Sequence, residues 1–146
     1  MTAPSLTRTT PSQQQLGIAI LRIVTGVVFT AHGAQKLFVY GLAGVSGAFA
    51  KMGVPIPGIT APVVSLVEFF GGIALIIGLL TRLAALGIAF DMLGAIFLVH
   101  LAGGFFMPAG YEYALTMLAS MICLMLAGPG SLSVDSTLAA RRGVVR

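Results

Sequence analysis

Residues 16–38, LGIAILRIVTGVVFTAHGAQKLF, are long and apolar enough to cross a bilayer, yet they include Arg22, His32 and Lys36. A charge near the centre of a membrane helix costs about 2.5–3.5 kcal/mol on an insertion scale, so such residues seldom face lipid. At about 100° per residue, Arg22, Phe29 and Lys36 share one face of the helix. This segment therefore needs neighbouring helices that bury its polar face.

The composition places the whole chain among integral membrane proteins. Of its 146 residues, 58% are apolar and 8% are charged, and the mean hydropathy is +1.04. A soluble domain carries about 25% charged residues. The net charge of +4 comes from dispersed or terminal residues, so no basic patch of the kind that binds nucleic acid is formed. Cys123 is the only cysteine, and two separated histidines give no metal motif, so we expect neither a disulfide nor a metal site.

The hydrophobic pattern predicts an all-α membrane protein, a bundle of four transmembrane helices. The four predicted spans cover residues 16–38, 63–80, 83–101 and 111–127. A very tight turn at Thr81-Arg82 joins the second span to the third. The connection 39–62 is rich in glycine and proline, and within it residues 45–52 form either a short interfacial helix or a plain surface loop.

Small residues indicate how the helices pack. Gly71 and Gly78 share a face of the second span, where a neighbouring backbone can approach closely. The fourth span has a face of small or polar residues that suits the interior of the bundle. This face consists of Glu112, Thr116, Ser120, Cys123 and Ala127.

Three regions follow from the pattern: a flexible cytoplasmic tail over 1–15, the transmembrane domain over 16–130, and a basic cytoplasmic tail over 131–146. The first span is predicted to be retained, because a cleaved signal peptide has a shorter apolar region without an internal charge. With four spans, both tails and the 81–82 turn lie on one side of the membrane. Most basic residues lie on that side, so the positive-inside rule predicts that both termini are cytoplasmic.

Ionisable residues within the spans are predicted to form two layers. In the inner layer, Arg22 lies about 9 Å and Asp91 about 12 Å from the cytoplasmic ends of their spans, at a rise of 1.5 Å per residue. Their similar depth and opposite charge predict a structural ion pair that fixes the helix register. His100 lies about 180° from Asp91 on an ideal helix, so both residues face inward only if that helix bends or has ended.

The outer layer is the predicted ligand pocket. His32 and Glu68 lie about 9 Å and 8 Å from the outer ends of their spans. Ionisable groups within a membrane are functional-site hypotheses by default, although Lys36 and Glu112 also fit the role of ordinary interfacial residues. The predicted pocket residues are His32, Lys36, Glu68, Glu112 and His100.

An ordered set of short motifs runs through residues 16–136. It comprises LR at 21–22, Gly26, HG at 32–33, Lys36, Glu68, GG at 71–72, LLTR at 79–82, Asp91, His100, GGFF at 103–106, GYEY at 110–113, GPG at 128–130 and SVD at 133–135. Through this set the chain resembles the DoxX family of four-helix bacterial membrane proteins. The resemblance implies a multi-pass protein of the bacterial inner membrane.

The resemblance also implies a connection with redox chemistry. Relatives named DoxD are associated with thiosulfate:quinone oxidoreductase, and some DoxX proteins with membrane assemblies that handle thiol and oxidative stress. A second cysteine and a soluble thiosulfate-binding domain are not found in this sequence, so we expect an accessory or membrane-anchor role. Redox-protein subunits are the implied partners, beside the lipid bilayer and a possible second copy of the chain.

Three functional hypotheses remain open at this point, and whether the chain is itself an enzyme is open with them. In the first, the outer pocket binds a quinone head group or a small anion: a histidine beside a carboxylate exchanges protons near neutral pH, and Lys36 stabilises a developing oxyanion. Quinone is then the expected cofactor. In the second, the layered charges serve a small transporter or proton conduit. In the third, the chain is a structural or assembly partner without chemistry of its own.

Overall fold

The computed structural model describes residues 9–143, and these residues form helices and connections without a strand. The helices are α1 (Pro11–Ala34), α2 (Gly41–Lys51), α3 (Pro57–Ile77), α4 (Thr81–Gly94), α5 (Glu112–Ala127) and α6 (Val134–Arg141). Two wider helical turns, Gln35–Tyr40 and Ala95–His100, continue α1 and α4. The predicted all-α membrane fold is confirmed.

Helices α1, α3, α4 and α5 form the bundle. Three helical segments, Pro11–Lys51, Pro57–Ile77 and Thr81–Gly103, are long and apolar enough to cross a membrane, and α5 is a shorter apolar helix. At 1.5 Å per residue, the 16 residues of α5 extend about 24 Å, which is less than the hydrocarbon core of about 30 Å. Helix α1 packs mainly against α3, and α4 packs mainly against α5. The outward-facing side chains are largely leucine, isoleucine, valine and phenylalanine, as a lipid-facing surface requires.

The two ends of the bundle differ in structure. At one, the turn end, α1 begins and residues 78–80 join α3 to α4. At the other, the cavity end, α1 continues into α2, and a loop over residues 104–111 precedes α5. Which of these ends faces the cytoplasm stays a prediction.

Helix α1 begins at Pro11, five residues before the predicted span. The Thr10 hydroxyl accepts a hydrogen bond from the Gln13 backbone N–H at 3.3 Å, and the Gln13 side chain accepts one from the Thr10 N–H at 2.8 Å. This reciprocal cap, followed by a proline in the first turn, is a strong helix start. Residues 11–15 are thus helical rather than part of a tail, and residues 1–8 of the predicted tail lie outside the described residues.

The connection between the first two spans holds a helix that is longer than predicted. Helix α2 covers Gly41–Lys51, whereas the sequence predicted 45–52 as a short helix or a loop. Helix α3 begins at Pro57, six residues before the predicted start, since proline is well tolerated in the first helical turn. In the predicted C-terminal tail, residues Val134–Arg141 form α6, and residues 144–146 lie outside the described part.

Glycines let the backbones of α1 and α3 come into direct contact. A Cβ atom added at Gly26 would lie 2.8 Å from the Gly72 carbonyl oxygen, and one at Gly72 would lie 2.7 Å from the Gly26 carbonyl oxygen. Gly33, about two turns further along α1, faces the backbone of Phe69 in the same way. Close packing of small residues is the usual means by which membrane helices associate.

The predicted glycine face of α3 is displaced by one residue. The contact with α1 is made by Gly72, whereas Gly71 faces the Ile88 side chain on α4. Gly78 ends α3 with a φ of +71° and faces Arg22. The prediction that Gly71 and Gly78 together form the close approach is therefore wrong.

Helix α5 buries a different face from the predicted one. Thr116 and Cys123 are exposed, and the hydroxyls of Thr116 and Ser120 each donate at 2.9 Å to a carbonyl four residues earlier in the same helix. These hydroxyls need no partner from another helix, so nothing draws them into the core. The buried residues of α5 are Ala114, Met121 and Leu124.

The start of α4 is capped by a residue that is distant in the sequence. The Asp135 carboxylate accepts hydrogen bonds from the backbone N–H groups of Leu80 at 2.8 Å and Thr81 at 3.0 Å. The Asp135 N–H donates to the Gly78 carbonyl at 2.9 Å. Asp135 therefore ties α6 to the α3–α4 turn.

Asp135→Ala is expected to lower the free energy of unfolding by about 1 kcal/mol, the usual loss of stability when a helix cap is removed. The measurement is thermal unfolding of the purified protein in detergent. Asp135→Asn is the matched control, because its side-chain oxygen still accepts one of the two hydrogen bonds. Its unfolding temperature should lie between those of the wild type and the alanine variant. An alanine variant that unfolds at the wild-type temperature would show that the cap has no net effect.

Candidate functional site

A cavity of about 690 Å³ lies among the helices at the cavity end. Most of its wall is apolar, with side chains such as Phe29, Val64 and Leu98. Pockets of this size and character are typical of sites for small organic ligands. The polar side chains that can ionise or donate protons in its wall are His32, Lys36, Glu68, Asp91, His100 and Tyr113.

An ion pair between Lys36 and Glu68 lies on this wall. The Lys36 Nζ donates to Glu68 Oε2 at 2.5 Å, and the Glu68 side chain is 5% exposed, against 21% for Lys36. Glu68 comes from the middle of α3, and Lys36 from the wider turn that follows α1. The structure thus brings together two of the predicted pocket residues, with the ammonium group nearer the open part of the cavity.

Asp91 joins this pair from α4. Its carboxyl group lies beside that of Glu68 and close to the Lys36 ammonium. The Asp91 Oδ2 atom is buried and has no hydrogen-bond partner within residues 9–143. A buried carboxyl oxygen without a donor is costly, and here it belongs to a residue in the cavity wall. Lys36, Glu68 and Asp91 are called the acid–lysine cluster below.

Aromatic and imidazole rings complete the polar part of the wall. The rings of His32 and Tyr113 lie 6.4 Å apart between centroids, at an interplanar angle of 42°. His100 Nδ1 lies 3.1 Å from the Ala109 carbonyl oxygen. Because a carbonyl only accepts, Nδ1 is the donor in this contact, and Nε2 of a neutral ring is left as an acceptor.

His100 lines the cavity although an ideal helix would place it on the face opposite to Asp91. The wider turn Ala95–His100 removes this conflict, since each of its turns holds more residues than an α-helical turn and so shifts the phase of the side chains that follow. The sequence predicts that both residues face inward only if the helix bends or ends, and the wider turn supplies the required change of direction.

Glu112 was predicted in the pocket but lies outside its wall. Its Oε1 atom accepts a hydrogen bond from the Met107 N–H at 2.8 Å, within the loop that precedes α5. The same loop is closed by backbone bonds from Tyr111 to Gly104 and from Glu112 to Phe105, both at 3.0 Å. Glu112 therefore shapes the loop instead of facing the ligand space.

The predicted ion pair between Arg22 and Asp91 is wrong. Arg22 lies at the turn end, is 1% exposed, and donates from Nη1 to the Pro129 carbonyl and from Nη2 to the Leu132 carbonyl, both at 2.6 Å. The charged neighbours of Asp91 are Glu68 and Lys36 instead. Backbone carbonyls replace the expected carboxylate because the segment after α5 turns back over the end of α1.

Asp91 and Tyr113 were not predicted as pocket residues, and for Asp91 the reason is the position of the turn: it was predicted at Thr81-Arg82, but these residues begin α4 and the turn lies at residues 78–80. Glu68 lies 11 residues before Leu79, and Asp91 lies 12 residues after it. Two antiparallel helices joined by a tight turn at residues 78–80 carry these two positions at nearly the same depth. No comparable signal identifies Tyr113, whose position depends on how the 104–111 loop orients α5.

Comparison with known proteins decides the family. The DoxX family model matches residues 17–101 of the chain, the stretch that contributes the whole acid–lysine cluster. The chain belongs to the DoxX family. The resemblance seen in the sequence is confirmed, and the cluster lies within the part that this chain shares with the DoxX model.

Similar proteins cover nearly the whole DoxX chain. It is 34% identical to the uncharacterized membrane protein Rv3486 of Mycobacterium tuberculosis, over 95% of this chain and 91% of the relative. It is 33% identical to a Bacillus subtilis protein named "Putative oxidoreductase CatD", over 83% and 86%. It is 35% identical to the inner membrane protein YqjF of Escherichia coli, over 86% and 94%. No solved structure matches the chain significantly.

Proposed function

We propose that this DoxX protein is an accessory subunit of a membrane redox system and that its cavity binds the head group of a quinone. The observation that carries the proposal is the acid–lysine cluster in the wall of an apolar cavity of about 690 Å³. The name of the Bacillus subtilis relative, "Putative oxidoreductase CatD", points in the same direction.

The cluster has the groups that quinone reduction requires. A quinone becomes a quinol when it gains two electrons and two protons, one proton on each carbonyl oxygen. The Lys36 ammonium donates a hydrogen bond to an oxygen that becomes negative, and such stabilisation is strong in a site that excludes water. The electrons come from a reduced partner protein, a dithiol or a reduced flavoprotein, since the chain acts here as the quinone-binding subunit.

Charge counting assigns the proton. One ammonium faces two carboxyl groups, so the acid–lysine cluster is electrically neutral when one carboxyl holds a proton. That proton lies between Glu68 and Asp91 and next to the proposed position of the ring. Transfer of this proton to one carbonyl oxygen leaves a net charge of −1 on the cluster, which returns to zero when His32 or His100 passes in a proton from the membrane surface. The second carbonyl oxygen receives its proton by the same route, so the ring gains two protons with its two electrons.

The orientation and the location form part of the same proposal. Arg82, Arg141 of α6 and the following Arg142 lie at the turn end, so the positive-inside rule places that end, and both termini, in the cytoplasm. The cavity then lies in the outer half of the membrane. The name of the Escherichia coli relative supports the inner membrane of a bacterium as the location.

Lys36→Met is expected to weaken the binding of a short-chain ubiquinone by about 10- to 100-fold, because the loss of one charge-assisted hydrogen bond corresponds to about 1.5–3 kcal/mol. The measurement is a titration of the purified protein in lipid nanodiscs. Lys51→Met is the matched control, since Lys51 is the other lysine of the chain and is exposed on α2.

The double variant Lys36→Met/Glu68→Gln guards against misfolding of the single variant, since it removes both charges of the ion pair together. It should remain folded and lack quinone binding. The proposal is overturned if the wild-type protein does not bind the quinone, or if it binds the quinone as tightly without Lys36.

A further inference from the structure

The cavity lies between two helices that separate toward the cavity end. Near the turn end, α3 and α4 touch: a Cβ atom added at Gly71 would lie 3.1 Å from Ile88 Cδ1, and one at Gly87 would lie 3.4 Å from Val67 Cγ1. Beyond these contacts, Glu68 and Asp91 still meet across the two helices, and residues at intervals of about one turn on both helices line the cavity. They are Thr60, Val64 and Glu68 on α3, and Asp91, Ala95 and Leu98 on α4 and its continuation.

The rim of this gap reaches the outer surface of the bundle. Phe90 and Leu98 line the cavity, and yet they are 65% and 48% exposed. Both belong to the segment Thr81–Gly103, which is long and apolar enough to cross a membrane, so their exposed surface faces acyl chains. The cavity is thus continuous with the lipid-facing surface between α3 and α4, and this gap is called the lateral opening.

The two sides of the cavity differ in polarity. Glu68 of the acid–lysine cluster is almost fully buried, whereas the apolar side chains of Phe90 and Leu98 are exposed, so the cluster lies deeper than the lateral opening. A ligand that matches this arrangement has a small polar ring joined to a long apolar chain. A water-soluble thiol or a free anion would leave the apolar side unoccupied.

We infer that the ligand enters sideways from the hydrocarbon layer through the lateral opening and keeps its apolar tail between Phe90 and Leu98 while bound. The ring rests on the acid–lysine cluster, as in the proposed function, on which this inference depends for the identity of the ring. What it adds is the class of ligand, a long-chain lipid-soluble molecule, and the route by which the ligand arrives.

The chain contains no tryptophan, so a single introduced tryptophan reports on its own surroundings. Val64→Trp places an indole in the cavity, which has room for it. Phe97→Trp provides a matched reference in the wider turn that continues α4, at a position that is 64% exposed and outside the cavity wall. Both variants are reconstituted in nanodiscs with ordinary or brominated acyl chains. We expect brominated lipid to quench the fluorescence of both variants, and aqueous iodide to quench neither.

The second step adds ubiquinone with a ten-isoprenoid tail, or the same ring without a tail, and compares the intensity ratio between brominated and ordinary nanodiscs. The tailed quinone should reduce lipid quenching of Val64→Trp and leave Phe97→Trp unchanged, and the tail-less ring should shield neither. Quenching of Val64→Trp by iodide and not by lipid, or binding of the tailed quinone without shielding, overturns the lateral route. Failure of both quinones to bind overturns the proposed function and the ligand class with it, while brominated lipid still decides whether the cavity opens to the bilayer.

Discussion

Arg22→Met is expected to lower the free energy of unfolding of the bundle by about 3 kcal/mol or more, because hydrogen bonds to a charged donor contribute about 1.5–3 kcal/mol each. The Arg22 guanidinium is fully buried and donates to two backbone carbonyls, those of Pro129 and Leu132. Methionine fills much of the same space but leaves both carbonyls without the donor that Arg22 provides. It also removes the positive charge that faces Asp135.

The effect should appear as a fall of about 10 °C in the unfolding temperature of the purified protein, since 1 kcal/mol corresponds to roughly 2–4 °C in a chain of this length. Arg82→Met is the matched control: it removes the same charge at the same end, but Arg82 is exposed. The unfolding temperature of Arg22→Lys should lie between those of Arg22→Met and Arg82→Met, because a single ammonium group keeps the charge and reaches fewer acceptors. An Arg22→Met protein that unfolds with the wild type would show that the segment after α5 is held by something else.

The case of Arg22 shows why charge matching within a sequence can mislead. Its similar depth to Asp91 and the opposite sign made that acid the natural partner, and the two do not meet. A guanidinium also donates to main-chain carbonyls, which every residue carries and which no pattern of side chains reveals. Positive φ angles at Gly128 and Gly130, +80° and +74°, accompany the turn that brings those carbonyls over Arg22.

The fold class followed from composition because only a helical bundle satisfies so many backbone groups without water. The boundaries were less accurate at prolines. Pro11 and Pro57 are the first residues of helices, whereas the sequence predicted Pro11 in a tail and Pro57 in a loop. A proline in the first turn loses no internal hydrogen bond, so the same residue marks the start of a helix as readily as a connection.

The candidate site was predicted only in part, because the directions of the side chains were counted on ideal helices. Lys36 and His100 both lie in wider turns, which change the direction of the side chains that follow. These turns have no reliable sequence signature, and they are frequent at functional sites. The level of Asp91, in contrast, depends on where the tight turn lies. The turn was predicted at residues 81–82 and is found at residues 78–80, and counting outward from the observed turn places Asp91 beside Glu68.

Gly72→Leu is expected to prevent formation of a stable bundle. A Cβ atom at this position would lie 2.7 Å from the Gly26 carbonyl oxygen and 2.5 Å from the Thr30 backbone nitrogen. These neighbours are backbone atoms, which cannot turn aside as a flexible side chain does, so α1 and α3 must move apart. Overpacking a core typically costs about 1–3 kcal/mol, and the loss here should lie at or above the upper limit because the main contact of the bundle opens along its length.

The measurement is the yield of monodisperse protein after extraction in mild detergent, followed by thermal unfolding of whatever remains folded. Gly17→Leu is the matched control: a Cβ atom at Gly17 of α1 meets nothing within 4 Å, and leucine favours the helix over glycine by roughly 0.5–1 kcal/mol, so this variant should be as stable as the wild type or more so. Gly72→Ala, which adds only the Cβ atom, should already lower the unfolding temperature. If Gly72→Leu is extracted and unfolds like Gly17→Leu, the backbones of α1 and α3 are not in contact at Gly72.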